Sequence, residues 1–295
     1  MQGTLQEIQE RDKEGEGSEE SGLGLDPSLP TVIITTYNEE EHIGTVLQAI
    51  MNQSIKCNVV MVDSESHDST VKIARSFSSE RLKITVKKCR RGEGRNIGVN
   101  QTESSKILFT DADAVPDKNW VECMSEELEH YDLVAGETQQ EGPHRYSRFG
   151  RVELFYMNFE ITAPSMNLAV RRDIFLKTGG FDPRFVTAED IDLNLRMVRN
   201  MARAVTCHKC RVKHNARERF IPFMRQAFWN GYGRAQLRYK NREIWEEVRK
   251  GRIKKSEVGL LWIIRNISAV TGYILFFIRG RKELSSHLPS EGRSI

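Results

Sequence analysis

Ile107-Leu108-Phe109-Thr110-Asp111-Ala112-Asp113-Ala114-Val115-Pro116 is an apolar run that stops at two carboxylates with one small residue between them. The apolar part predicts a buried parallel strand, because neither face alternates with polar residues and a proline closes it. Asp111 and Asp113 then emerge at the strand's carboxyl end, the edge at which open α/β sheets bind ligands. Two carboxylates separated by alanine suit a hard divalent cation that keeps some waters and takes its other oxygens from a substrate diphosphate. Asp and Pro are also common turn residues, so an Asp-x-Asp alone reads first as a strand followed by a turn. The surrounding sequence decides between the two.

Upstream, the β-branched run Thr31-Val32-Ile33-Ile34-Thr35-Thr36 predicts a first buried strand, and Tyr37-Asn38-Glu39-Glu40-Glu41 leads into a helix over 43–51. Acidic residues in that entry favour the helix dipole, with Asn38 as N-cap. Residues 57–62 predict a second strand ending at Asp63. A helix starts at Asp68-Ser69-Thr70, a third strand covers 82–86, and Arg90-Arg91-Gly92-Glu93-Gly94-Arg95-Asn96-Ile97-Gly98 opens another helix. Strand and helix alternate, which implies right-handed crossovers and a mostly parallel sheet of the α/β class. Each strand ends in polar residues, so Tyr37, Asp63 and Asp111 are expected on one rim. The glycines 92, 94 and 98 do not make G-x-G-x-x-G and do not follow the first strand, so a dinucleotide-binding reading lacks both spacing and context. A nucleotidyl or phosphoryl transferase would carry a glycine-rich loop where Tyr37-Asn38-Glu39 stands.

Val32-Ile33-Ile34-Thr35-Thr36-Tyr37-Asn38-Glu39, Val62-Asp63-Ser64-Glu65-Ser66-His67-Asp68-Ser69-Thr70, Arg95-Asn96-Ile97-Gly98 and Asp111-Ala112-Asp113 together resemble the inverting family-two glycosyltransferases of the GT-A fold. That fold is Rossmann-like, a mixed, mostly parallel sheet flanked by helices that takes nucleotide-diphosphate sugars. Two departures stand out: Thr35 replaces the usual proline, and Ser64-Glu65 replaces the usual Asp-Gly after Asp63. The resemblance implies a donor site of Thr36, Tyr37, Glu39, Asp63, Arg91, Arg95, Asp111 and Ala112. Tyr37 would stack on the base, Glu39 hold the ribose, Asp63 accept from a ring nitrogen, and the two arginines face the diphosphate or fix the loop. It also implies a D-x-D metal site for Mn2+ or Mg2+ on Asp113 and a UDP- or GDP-linked donor.

Further along, Gly179-Gly180-Phe181-Asp182 and Glu189-Asp190-Ile191-Asp192-Leu193-Asn194-Leu195-Arg196 are similar to the acceptor-side signature of the same family. Asp190 is the expected general base, Glu189 its acceptor-side neighbour, and Asp192 is placed to pair with Arg196 four residues on. Helix N-terminal capping by Glu189 and Asp190 is compatible with that role. Residues 202–212 predict a strand, and the histidine beyond it, His214, is where the family often completes the metal site; Mn2+ accepts imidazole. Residues 132–141 and 166–170 predict strands, and 146–159 a helix or a mobile loop. Arg225-Gln226-Ala227-Phe228-Trp229 does not reproduce the Q-x-x-R-W of processive members, which argues against polymer synthesis.

The 295 residues carry a net charge of +3, of which residues 1–30 contribute −6, leaving +9 on the rest. The acidic, apolar-poor residues 1–30 predict a disordered tail rather than a secretory signal. The basic remainder points to an anionic partner, nucleotide phosphates or an anionic membrane surface, and not to nucleic acid. Residues 31–218 are expected to form the GT-A domain and 219–295 a basic, amphipathic and apolar helical extension. Within it, 220–239 predicts an amphipathic helix. Residues 258–278 are long and apolar enough to span a bilayer but carry Arg265 and Asn266 centrally, so a helix lying on lipid fits better, with packing on its own domain or in a dimer as the other reading. The expected location is cytoplasmic, peripheral on the cytoplasmic face of the membrane. The acceptor is left open among a glycan, a lipid-linked and a small-molecule hydroxyl, and the alternatives are transfer to a lipid-phosphate acceptor at the membrane and a non-catalytic nucleotide-sugar-binding protein on the same fold. Five cysteines, an odd number, predict free thiols in a reducing compartment. Cys207-His208-Lys209-Cys210 is one C-x-x-C with no second to complete a zinc site, so a strand with small buried thiols is expected.

Overall fold

The computed structural model describes residues 24–141, 152–215, 220–251 and 259–280. The expected tail over 1–23 lies outside the described residues. Residues 24–30 do not continue it: the Asp26 carbonyl accepts from Asn58 Nδ2 at 2.7 Å and the Leu29 carbonyl from Ser104 Oγ at 2.6 Å. This turn docks at the amino-terminal edge of the sheet because buried Asn58 and Ser104 there need partners.

Strands β1 (Thr31–Thr36), β2 (Asn58–Asp63), β3 (Leu82–Val86) and β4 (Lys106–Asp111) are parallel, joined through α1 (Ile43–Met51), α2 (Thr70–Arg75) and α3 (Arg91–Val99). After them come β5 (Ala114–Pro116), α4 (Trp120–His130), β6 (Leu133–Glu141), β7 (Leu154–Tyr156), β8 (Phe159–Glu160) and β9 (Asn167–Arg171). The described chain ends with α5 (Arg172–Thr178), α6 (Glu189–Arg199), β10 (Ala204–Asn215), α7 (Phe220–Lys240), β11 (Arg249–Lys250) and α8 (Leu260–Leu275). Eight strands form one sheet in the order β3-β2-β1-β4-β9-β6-β10-β5, with β9 antiparallel to both its neighbours and β5 antiparallel to β10. A small second sheet orders β11-β7-β8.

Alternation along each strand divides the core between the two faces of the sheet. Val32, Ile34, Met61 and Leu108 pack with Leu47, Ile50, Trp120 and Met124 of α1 and α4. Ile33, Val60, Val62 and Phe109 pack on the other face with Val99, Phe175, Phe181 and Leu193 of α3, α5, the turn after it and α6. Both faces of β1 are covered, which is why its sequence shows no polar alternation. On the second face α3 approaches β1 closely: a Cβ at Gly98 would lie 2.5 Å from Ile33 Cγ2.

The described part of 146–159 departs from the expected helix or loop. Residues 154–160 are a hairpin, β7 and β8, whose two linking residues Met157 and Asn158 both have positive φ, 46° and 66°. That is the backbone of a tight hairpin turn. Sequence patterning misses it because methionine is not a turn residue.

Helix α7 packs on the main sheet unit through polar contacts to the 182–184 turn and α6. Gln236 Nε2 donates to the Arg184 carbonyl at 2.9 Å, and Lys240 Nζ reaches Asp182 at 2.7 Å and buried Asp192 at 2.8 Å. Asp192 also holds Arg196 at 2.8 Å, the expected i,i+4 pair. Helix α8 lies against α7 in the same direction, Arg265 over Phe223 and Phe276 against Tyr232. Two glycines allow the contact: a Cβ at Gly231 would sit 1.8 Å from the Ala269 carbonyl oxygen, and one at Gly272 1.9 Å from that of Phe228.

Candidate active site

The parallel register sets Thr36 opposite Asp63 and Thr35 opposite Asp111, so the carboxyl ends of β1, β2 and β4 lie level. Above them opens a cleft of about 1270 Å³, lined among others by Thr36, Tyr37, Glu39, Arg91, Asp111, Ala112, Asp113 and His214. Tyr37 is 54% exposed on its rim, edge-on to His67. Asn38, at φ 54°, turns the chain behind Tyr37, and its Oδ1 accepts the His67 amide at 2.9 Å. Asparagine tolerates that left-handed conformation better than most residues.

Asp63 is fully buried and its carboxylate is already engaged. It accepts from Thr36 Oγ1 at 2.6 Å and from the Ser66 amide and hydroxyl at 2.8 and 2.6 Å. In this conformation it ties the ends of β1 and β2 to the following loop. Glu65, where the resembled family has glycine, holds the left-handed conformation at φ 59°.

The carboxyl end of β4 meets the opposite wall through Arg95. This guanidinium is 1% exposed, donates to Asp111 at 2.6 Å and Glu189 at 3.0 Å, and lies 5.4 Å from the centroid of Phe181. Asn96 beside it clamps the Gly179-Gly180-Phe181 turn, receiving the Phe181 amide at 2.9 Å and donating to its carbonyl at 2.7 Å. Gly179 and Gly180 supply the positive φ this turn needs, 86° and 65°. Arg91, one helical turn before Arg95, stands in the cleft; Asp111, Glu189, Asp190 and Asp113 hold it firmly protonated.

Asp113 and His214 meet from elements 101 residues apart, with Nε2 3.2 Å from Asp113 Oδ2. The short β5 makes the meeting, because its Ala114 is the ladder partner of His214. His214 Nδ1 lies 3.3 Å from Gln140 Oε1 on β6 and is oriented by it. One carboxylate oxygen and one imidazole nitrogen facing the cleft form a mixed donor pair that fits Mn2+ better than Mg2+ and leaves most positions to waters and substrate oxygens. The carboxylates crowd here: burial first, then Asp113, push the Glu39 carboxyl up, against the opposing effect of His42 at 3.4 Å.

Asp190 is the second residue of α6, which follows Ala188, whose φ of 65° kinks the chain into the helix. Its Oδ1 accepts the Ile191 amide at 2.8 Å and its Oδ2 the Ser165 amide at 3.4 Å. Burial, reinforced by Glu189, pushes its carboxyl up to about 6. The arrangement thus joins an aromatic rim, an aspartate–histidine pair, a fixed arginine and a carboxylate whose pKa burial raises. Sequence reasoning placed Ser66 and Asn96 only within the quoted motifs and Arg265 only as a break in an apolar run, and gave none of them a role at the cleft, which Arg265 lines from α8. It did not name Gln140, whose signal was its place in a strand that ends polar.

The sequence profile described as Glycosyl transferase family 2 matches residues 31–181, the stretch that builds β1 to β9 and the Gly179-Gly180-Phe181 turn. The chain belongs to glycosyl transferase family 2. As a member it is a glycosyltransferase. It is 28% identical over 223 residues to glycosyltransferase AglE of Haloferax volcanii, covering 70% of this chain and 73% of that one. Among solved structures, the mannosyltransferase PcManGT of Pyrobaculum calidifontis, in complex with GDP-Man and Mn2+, superposes with a TM-score of 0.57 at 17% identity, covering 90% of this chain and 83% of that one. TarS 1–349 of S. aureus, in complex with UDP-GlcNAc, gives 0.55 at 18% identity, covering 83% and 80%. At such identities the structural likeness shows the GT-A fold, with its C-terminal helices, and no more.

Proposed function

We propose that this family-2 enzyme is a metal-dependent, inverting glycosyltransferase that moves a sugar from a UDP- or GDP-linked donor to an acceptor hydroxyl in a single displacement. The observation that carries the reading is the meeting of Asp113 with His214 at the carboxyl edge of the sheet, 3.2 Å apart and oriented by Gln140. Those two residues would hold Mn2+ or Mg2+, whose charge would neutralise the diphosphate leaving group. Nucleotide sugars and Mn2+ in the related structures support the same choice of ligands.

The chain's own groups then divide the work. Tyr37 offers an exposed ring to the base and Glu39 an acceptor to the ribose, while Asp63 shapes the loop beneath them. Arg95 fixes Asp111 and Glu189 in place, and Arg91 presents a permanent cation to the diphosphate. Asp190 takes the acceptor proton as the acceptor oxygen bonds to the anomeric carbon and the bond to the diphosphate oxygen breaks on the opposite face. With its carboxyl pushed up to about 6, Asp190 is ionised at neutral pH yet more basic than an ordinary aspartate.

A lipid-linked acceptor is favoured by α8. Its outer face, continued by the π-helical turn Phe276–Gly280, carries Ile263, Ile267, Val270, Ile274, Phe277 and Ile278, each at least 43% exposed, at helical spacing. Leu261–Gly280 has a mean hydropathy of 1.6, and the inner face of the same helix places Arg265 at the cleft. This helix would lie at the boundary of an anionic bilayer, on its cytoplasmic face, and bring the cleft to a membrane-borne hydroxyl or phosphate. The test is transfer from a panel of UDP- and GDP-sugars to water-soluble and lipid-linked acceptors, with Mn2+, Mg2+ or chelator. Metal-dependent formation of an anomerically inverted product supports the proposal; metal-independent transfer or retained configuration refutes it.

A further inference from the structure

Away from the cleft, in the core between β10 and α4, the sulfurs of Cys123, Cys207 and Cys210 all lie within 4.8 Å of one another. All three are buried, at 8%, 6% and 0% exposure. Their convergence is built by four elements. The β10 ladder with β6 shifts between Cys207 and Arg211, so the C-x-x-C brings both its sulfurs to one side. Cys123 arrives from the first turn of α4. Asn167 of β9 fixes the bulge, donating to the Cys210 carbonyl at 3.1 Å and the Glu137 carbonyl at 2.9 Å while accepting Trp120 Nε1 at 2.8 Å. Only glycine fits beside it, since a Cβ at Gly136 would stand 2.3 Å from the Cys210 oxygen.

The expectation of free thiols is therefore corrected: Cys123 and Cys210 are bonded, because helix packing brings together two sulfurs 87 residues apart. A disulfide leaves the third sulfur unexplained. Cys207 Sγ lies 3.0 Å from Cys210 Sγ and 3.6 Å from Cys123 Sγ. The three sit at the corners of a triangle, whereas an attacking sulfur in thiol–disulfide exchange must stand in line with the bond it breaks. A triangle of sulfurs is the arrangement of three ligands to one ion.

We propose that in its reduced state this cluster binds one soft, thiophilic cation, Zn2+ or Cu+, through Cys123, Cys207 and Cys210, as a structural tie between α4 and β10. The disulfide and the metal-bound form are alternatives. A dithiol donates two electrons and two protons to the Cys123–Cys210 bond, leaving two thiols and its own cyclic disulfide. The entering cation then displaces three thiol protons to solvent and forms three metal–sulfur bonds. Thiolate ligands select such ions over Mg2+ and Mn2+, which go to carboxylate sites. His208 is turned outward, 79% exposed and 4.0 Å from Glu137, so the ligand set is sulfur alone.

The full chain, reduced with a dithiol and desalted without oxygen, is titrated with Co2+ as a spectroscopic probe. The expected result is one Co2+ per chain with a thiolate-to-cobalt charge-transfer band, bleached by Zn2+, present in the Cys57→Ser/Cys89→Ser double variant and in His214→Ala. Cys207→Ser keeps the disulfide partners and so the fold, and there the affinity falls by more than about a hundredfold, beyond the loss of an outer-shell partner. Absence of the band in the reduced wild type, or its persistence in Cys207→Ser and Cys210→Ser, overturns the proposal. So does reduced protein that only re-forms the Cys123–Cys210 bond without taking up metal, which would make the site a plain disulfide.

Discussion

Asp190 couples stability and activity. Its carboxyl titrates near 6 in the folded chain against 3.8 in the absence of burial, so the folded state holds an extra proton between those values. Its contribution to stability is complete below about pH 3.8 and is lost as pH rises through about 6. Activity runs the other way: kcat/KM should rise through about pH 6 as Asp190 ionises and then level. Asp190→Asn should reduce turnover by about 10²–10⁴-fold. The same variant should melt a few degrees higher than wild type at pH 7 and lose the pH dependence of Tm between 4 and 6. A variant that keeps its turnover, or the same Tm profile, contradicts this role.

Arg95 is the opposite case, a charge whose removal harms the fold. It is 1% exposed between Asp111 and Glu189, so Arg95→Met leaves two carboxylates without their partner in a poorly solvated wall. The expected cost is about 3–5 kcal/mol in urea unfolding. At this scale the sequence was informative about residue types and less so about their partners. Asp113 and His214 were legible as a pair through motif order. The saturation of Asp63 by Thr36 and Ser66 was not, because it depends on how a loop folds back, and neither was Gln140, whose role exists only through the β6–β10 register.

At the scale of elements, β1, β2 and β4 were legible to within a residue or two because burial on both faces leaves an unbroken apolar run, and the half-buried edge strand β3 was legible from its apolar residues between turns. The β7–β8 hairpin was not, since Met157 occupies a left-handed turn position by tertiary constraint. Helix α8 was legible as apolar and ambiguous as to what covers it. The structure answers with one face on α7 and one exposed. Its packing rests on glycine: at Gly272 an added Cβ would meet the Phe228 carbonyl at 1.9 Å, and a backbone oxygen cannot yield as a flexible side chain can. Alanine there would raise intrinsic helix propensity by about 1 kcal/mol in isolation. Here Gly272→Ala should instead separate the two helices, exposing α8 to limited proteolysis while the nucleotide-binding half stays folded. Unchanged proteolysis would show that the contact is not what holds α8.

The whole molecule sets a cleft, proposed above to take the nucleotide sugar, at the carboxyl edge of the sheet, and an apolar stripe on the helix that lines one side of it. If the stripe meets lipid, Ile267→Glu/Ile274→Glu should lower partition onto phosphatidylserine-containing vesicles by about 100-fold or more, since each buried isoleucine is worth about 1.5–3 kcal/mol. Turnover on a water-soluble acceptor should be unaffected. Equal vesicle binding by the variant would remove the stripe from the account. The +9 on residues 31–295 pointed to an anionic partner without distinguishing phosphates from membrane, because net charge carries no geometry.

The central claim is that Asp113 and His214 together receive the cation that carries the donor diphosphate. Isothermal titration of UDP and GDP into wild type, Asp113→Ala and His214→Ala, each with Mn2+ and with chelator, tests it most directly. The account predicts that one nucleotide binds wild type at least about tenfold more tightly with Mn2+, and that either substitution abolishes the difference, a loss of about 1.4 kcal/mol or more. Binding that is indifferent to Mn2+ in wild type, or a Mn2+ effect that survives both substitutions, would contradict it.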